Sequence, residues 1–196
     1  MVVEYMKIIG LTGGIGSGKS YIAEILKTEY NAEIYLTDNI AKELMSYGNA
    51  CYNEVVSYFG KQVLNLSNEI DKVKLSHIIF ESKEHRLRLN SIVHPAVVKY
   101  IKDSIQKTNK KLVVIESALL IEAGIDKICT EVWYIHADID IRIKRLIKER
   151  GYSKEKCKAI IESQFDFETN KERFNVIIDN SGYIDIVDEI KKQRIF

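Results

Sequence analysis

The chain has 196 residues, 46% of them hydrophobic, enough for one domain to bury a core without disulfides or metal staples. Its 29 basic and 28 acidic side chains nearly cancel, which excludes a global basic face for nucleic acid and leaves only a local basic cleft open. Cys51, Cys129 and Cys157 form no CxxC pair and are odd in number, which excludes a disulfide framework and a cysteine zinc site and fits reduced thiols in a cytoplasmic protein.

At the N-terminus Glu4 is acidic and the apolar run after it is broken by glycines, so no signal peptide is expected. Met6 is an alternative start, which would make residues 1–5 a leader without a structural role. Lys7 to Thr12 reads as a short buried strand. Ile22, Ala23, Ile25, Leu26 and Tyr30 lie on one face of a helix from Lys19 to Tyr30. A short strand follows at Glu33 to Leu36. The stretch from Asp38 to Lys107 is helical in pattern and too long for a plain crossover, and Gly48 and Gly60 punctuate it. Its last helix carries Ile92, Val97, Ile101 and Ile105 and is expected to bend or start near Pro95.

Leu112 to Ile115 and Glu131 to Ile135 are continuous apolar runs, as strands buried on both faces should be. The longest apolar run, Leu112 to Ile121, is interrupted by Glu116 and falls short of the ~20 residues of a membrane helix, so no membrane partner is expected. Ile139 to Arg150 and Lys154 to Phe165 read as two charged helices joined at Gly151. Asn175 to Ile178 is a last strand, Asn180-Ser181-Gly182 a turn, and Ile184, Ile186, Val187 and Ile190 mark a final helix. Strands alternating with helices predict an α/β fold with a parallel sheet of about five strands, helices on both faces and a helical insert.

Gly13-Gly14-Ile15-Gly16-Ser17-Gly18-Lys19-Ser20 matches G-x-x-x-x-G-K-[ST], a phosphate-binding P-loop with the required strand before it and amphipathic helix after it. Glycines let main-chain N–H groups curl around phosphate oxygens, and the following helix adds its positive end. The amides from Gly14 through Tyr21 are the expected ATP cradle. Lys19 supplies a cation for the β- and γ-phosphates, and Ser20 a hydroxyl for Mg²⁺. GTPases also need an N-K-x-D base reader, which is absent, and motors are larger; size and the helical insert point to a small-molecule kinase.

In order along the chain stand the loop with its strand (Ile8 to Ser20), Asp38 with Ile40-Ala41, Phe59-Gly60, Ile79-Phe80, His94-Pro95, Leu119-Leu120-Ile121-Glu122, Gln164, Arg173 and Ile178 to Gly182. In that combination the sequence resembles the dephospho-CoA kinase family from about Lys7 to its end. The resemblance implies a P-loop kinase fold and Mg²⁺-dependent transfer of the ATP γ-phosphoryl to the ribose 3′-hydroxyl of dephospho-CoA. The expected division is a nucleotide core (1–36, 110–140 and 172–196), a helical CoA-binding insert (37–109) and a lid (141–171). Leu36, Thr37, Ala118 and Tyr21 depart from the family's pattern. Two alternatives are a kinase of another small acceptor and a nucleotide-binding regulator that does not catalyse.

Asp38 follows a strand at the carboxyl edge, where open α/β sheets bind ligands. It either takes the acceptor hydroxyl's proton, as the resemblance implies, or holds a Mg²⁺-bound water, and it also suits a helix N-cap. Family position makes Arg145 the lid arginine that closes over the transferring phosphoryl, a contribution of about 10³–10⁵ in rate. Glu116, ending a buried strand, is expected to meet Mg²⁺ waters or Lys19. Glu122 orients substrate or caps a helix. His94 contacts the CoA moiety, as the resemblance implies, or merely precedes a helix-starting proline. Arg173 pairs with nucleotide phosphates or with an acid on the lid. Asn180 packs against adenine or makes a plain turn.

Overall fold

A computed structural model of the chain describes residues 6–164 and 167–195. The proposed leader, residues 1–5, and the expected end of the second charged helix at Phe165 lie outside the described residues. The strands are β1 (Lys7–Thr12), β2 (Glu33–Leu36), β3 (Leu112–Glu116), β4 (Glu131–His136) and β5 (Val176–Asp179). The helices are α1 (Lys19–Tyr30), α2 (Thr37–Leu44), α3 (Tyr52–Phe59), α4 (Lys72–Glu81), α5 (Lys83–Ile105), α6 (Ile139–Arg150), α7 (Lys154–Glu162) and α8 (Ile186–Lys191). Short 3₁₀ turns lie at Lys61–Val63, Ile125–Ile128 and Glu168–Arg173.

The chain divides into two compact units. One comprises the described residues up to Tyr35 and from Asn109 on; the other is Leu36–Thr108. In the first unit the strands lie in the order β2-β3-β1-β4-β5, and β1 pairs in parallel with β3 and β4, as β4 does with β5. From β1 the chain leaves toward one side of the sheet, and from β3 it crosses to the other. The carboxyl ends of β1 and β3 therefore flank the topological switch point, where open α/β sheets hold their ligands.

Strand alternation sorts the apolar residues between two faces. Ile9, Leu11, Leu112, Val114, Trp133, Ile135 and Ile178 form one cluster with Ile22, Ala23, Ile25 and Leu26 of α1 and Ile186 and Ile190 of α8. On the opposite face Val113, Ile115, Val132 and Tyr134 are also buried, and Phe167 and Phe174 pack their rings on Tyr134. That double burial is why these strands read as unbroken apolar runs.

In the second unit α5 packs with α2, α3 and α4. Asp71 caps α4 by accepting from the Val73 and Lys74 amides, and Ser82 caps α5 by accepting from the His85 amide. The expectation that the long helix starts near Pro95 is corrected: α5 starts at Lys83 and Pro95 lies inside it. A cap with a bonded first turn lets a helix begin far upstream, and the buried residues Leu89, Ile92, Val93, Val97 and Ile101 offset the donor that proline lacks. The final helix begins after Asp185, whose side chain accepts from the Val187 and Asp188 amides, so Ile184 precedes it.

Candidate functional site

Between β1 and α1 the chain makes the glycine-rich turn that the motif dictates. Gly13, Gly16 and Gly18 have positive φ, and Gly18 at φ 91° stands as N-cap of α1 without a side-chain cap. A Cβ on Gly18 would lie 2.2 Å from Asn180 Nδ2, so conformation and close approach both require glycine there. The N–H groups of Gly16, Gly18 and Ser20 have no acceptor among the described residues. Amides at a helix start need a partner from outside the helix, and an anion is the natural one.

Lys19 Nζ donates to the carbonyls of Gly13 at 2.9 Å and Gly14 at 3.2 Å. Ser20 Oγ donates to Glu116 Oε1 at 3.1 Å, so the loop's hydroxyl meets the last residue of β3 across the switch point. A hydroxyl and a carboxylate are hard oxygen donors of the kind Mg²⁺ accepts beside waters and phosphate oxygens, and the pair fits that ion. Among the described residues no group of three His, Cys, Asp or Glu gathers to hold a metal. Two protein oxygens suit an ion that arrives with the nucleotide's phosphates.

The outer side of the loop is gripped by side chains from far along the chain. Arg145 Nη1 donates to the carbonyls of Gly16 (3.3 Å) and Ser17 (3.2 Å), and Nη2 to that of Asn180 (2.8 Å). Asn180 is buried, and its Nδ2 donates to the Ser17 carbonyl at 2.8 Å. Arg142 Nε donates to the Ile15 carbonyl at 2.8 Å, and its Nη2 to Gln164 Oε1 at 2.8 Å. Burial pulls the Arg142 guanidinium below its ordinary pKa, partly offset by Tyr134. Gly14 leaves room for this group: a Cβ there would stand 2.2 Å from Arg142 Nη2. The Ile15 side chain packs on a small cluster of Ile143, Leu146 and Cys157 from α6 and α7.

A cavity of about 280 Å³ opens beside the loop, lined by Gly13 and Gly14, apolar Leu119, Ile121, Tyr134 and Ile160, and polar Glu122 and Gln164 among others. Glu122 lies in the turn after β3 and caps no helix.

Other expected site residues are used differently. Asp38 is exposed in the first turn of α2, whose N-cap is Leu36, so the N-cap reading is corrected. Arg145, the expected lid arginine, donates to loop carbonyls in this structure, where α6 lies against the loop through Ile15. Arg173 pairs with Asp126 at 2.9 Å, an acid in the 3₁₀ turn before β4 and not on the lid segment. His94 is half-buried in mid-α5, where burial lowers its pKa, so it marks no helix boundary. Tyr21 is exposed on α1. Sequence reasoning missed Arg142, which looked like one of five charges on a solvated helix; only its three-residue spacing from Arg145, placing both on one face, hinted at it.

A family model described as dephospho-CoA kinase matches residues 7–185. The dephospho-CoA kinase of Fusobacterium nucleatum is 35% identical over 189 residues, covering 96% of each chain. That of Carboxydothermus hydrogenoformans is 37% identical over 183 residues, 92% of this chain and 88% of its own. Among solved structures, the dephospho-CoA kinase of Campylobacter jejuni superposes with a TM-score of 0.67 at 27% identity, covering 95% and 94% of the two chains.

Proposed function

The chain belongs to the dephospho-CoA kinase family, and from that premise we propose that it moves the γ-phosphoryl of ATP to the ribose 3′-hydroxyl of dephospho-CoA, closing coenzyme A biosynthesis. The observation that carries this reading is the glycine loop with unsatisfied amides at the head of α1, within a chain that matches the family over residues 7–185.

The loop amides and Lys19 hold the triphosphate, with Lys19 exchanging the Gly13 and Gly14 carbonyls for phosphate oxygens. Mg²⁺, when bound, adds charge neutralisation, and Ser20 and Glu116 are the residues to hold it. Arg145 lends positive charge behind Gly16 and Ser17. Asp38, two residues past the end of β2 and exposed, takes the proton of the acceptor hydroxyl. The cavity between the loop and the turn after β3 receives the reacting end of the acceptor, because its apolar walls suit a ring better than a triphosphate. Glu122 is its polar contact there. Residues 37–109 are the CoA-binding insert in this reading, with His94 as a contact, and residues 141–171 act as the lid. Asn180 serves ATP through the loop it braces.

No described helix is long and apolar enough to cross a membrane. With three free cysteines, this supports a cytoplasmic setting.

The deciding experiment is mass spectrometry of dephospho-CoA after incubation with the protein and Mg-ATP. One added phosphoryl group is expected, on the 3′-oxygen by NMR. ATP consumption without that product, or transfer to another alcohol only, rejects the assignment.

A further inference from the structure

Gln164 and Arg142 belong to no part of the phosphate-loop motif, yet both meet its tip. Gln164 Oε1 accepts from the Ile15 amide at 2.9 Å and from Arg142 Nη2 at 2.8 Å. A carboxamide oxygen has two lone pairs, and both are taken. Exchanging the amide's oxygen and nitrogen would set donors against donors, so its orientation is dictated by its neighbours. Nε2 is the polar end left over. It has no acceptor among the described residues, and Gln164 is one of the residues lining the cavity beside Gly13 and Gly14.

Arg142 is itself constrained. Nε is spent on the Ile15 carbonyl, so the same guanidinium holds both the loop residue and the glutamine bonded to that residue's amide. The Ile15 side chain is packed among Ile143, Leu146 and Cys157, so loop tip and helix pair form one contact.

We propose that Gln164 is a substrate-binding residue that donates a hydrogen bond from Nε2 to an oxygen of the phosphoryl acceptor in this cavity, and that Arg142 is its positioning residue. The proposal rests on the reading of the cavity as the acceptor's site. An acceptor-side oxygen is preferred to a phosphate oxygen of ATP because the wall around Gln164 is largely apolar, while the unsatisfied amides that suit phosphate lie in the loop.

Three substitutions separate the parts. Gln164→Glu keeps an oxygen for both donors and removes the NH₂ group; Gln164→Met removes both functions; Arg142→Met frees the amide to rotate. Initial rates with dephospho-CoA and Mg-ATP varied separately, together with direct titration of ATP, give the readout. Both Gln164 variants should raise KM for dephospho-CoA about tenfold, the loss of one good hydrogen bond, with the ATP Kd within about threefold. Arg142→Met should lower kcat/KM for dephospho-CoA by a similar factor, Arg142→Lys should recover part of it, and Gln164→Glu should cost less in the Arg142→Met background than alone. An unchanged dephospho-CoA KM in folded Gln164→Glu overturns the proposal. So does an equal rise in the ATP Kd, which would assign the donor to phosphate or to loop shape. Should Arg142→Met fail to fold, the Gln164 variants decide by themselves. A wild-type chain acting only on a different alcohol would reject the functional reading, and the same variants assayed with that alcohol would still decide this one.

Discussion

Asp38 sits in the first turn of α2, where its charge is favourable to the helix, but Leu36 and not Asp38 is the N-cap, and Asp38 is exposed. Its contribution to the fold is therefore limited to a helix-dipole effect of about 0.3–1 kcal/mol. Asp38→Asn removes the base while keeping the shape. Turnover is expected to fall by about 10²–10⁴, the usual weight of general base catalysis, with ATP affinity and melting temperature nearly unchanged. Near-normal turnover in a rate assay would remove Asp38 from the mechanism. Gly10 makes the opposite kind of demand. It sits mid-β1, where a Cβ would come within 2.7 Å of Cys129 Sγ and 3.0 Å of Leu120. Cys129 is held there by a bond from Sγ to the Ile125 carbonyl, and burial pushes its thiol up to about 12, so it stays protonated. Gly10→Ala should cost about 1–3 kcal/mol of stability by overpacking, measured by urea unfolding, and Cys129→Ala should restore part of it. No recovery in the double variant would show that the overpacking is against Leu120 and not against that sulfur.

At the scale of elements, the strands were legible because β1, β3 and β4 are buried on both faces, and the helix after the loop because its apolar stripe faces the sheet. The loop and Lys19 were legible because local spacing carries their chemistry. The contacts that Arg142, Gln164 and Asn180 make with the loop were not, although Gln164 and Asn180 stand among the family-like residues, since they span more than a hundred residues and no local pattern encodes such a pairing. Pro95 misled for a physical reason: proline is a good helix starter, yet α5 runs through it on the strength of an upstream Ser82 cap and a buried face. One consequence concerns His94, beside that proline. Burial holds its pKa below the ordinary value, so between the folded pKa and about 6.5 the unfolded chain binds more protons than the folded one. Stability must then rise with pH through that window and be lost as pH falls below about 6.5. His94→Gln should flatten this part of the curve relative to wild type, as measured by unfolding midpoints at several pH values. Identical slopes in the two proteins would contradict a buried, neutral His94.

For the molecule as a whole, nucleotide binding is a stability question as much as a catalytic one. The loop is not an isolated turn. Arg142 and Arg145 of α6 and Asn180 after β5 hold its carbonyls, so ordering the loop around a triphosphate restrains those elements as well. A ligand that binds only the folded chain adds about 2.7 kcal/mol at one hundred times its Kd. For a chain of this size that is a rise of roughly 5–10 °C in melting temperature. Hydrogen exchange should place the added protection in β1, α1, α6 and the segment after β5, with α3 and α4 of the helical unit changing least. Lys19→Ala should lose most of the thermal shift and the exchange pattern together, while its melting temperature without nucleotide stays near wild type, because Lys19 is outside the core cluster of α1. Protection concentrated in α3 and α4, or a full thermal shift in Lys19→Ala, would mean that the triphosphate is held somewhere other than the glycine loop. Every role assigned above to Ser20, Glu116 and Arg145 would then lose its basis.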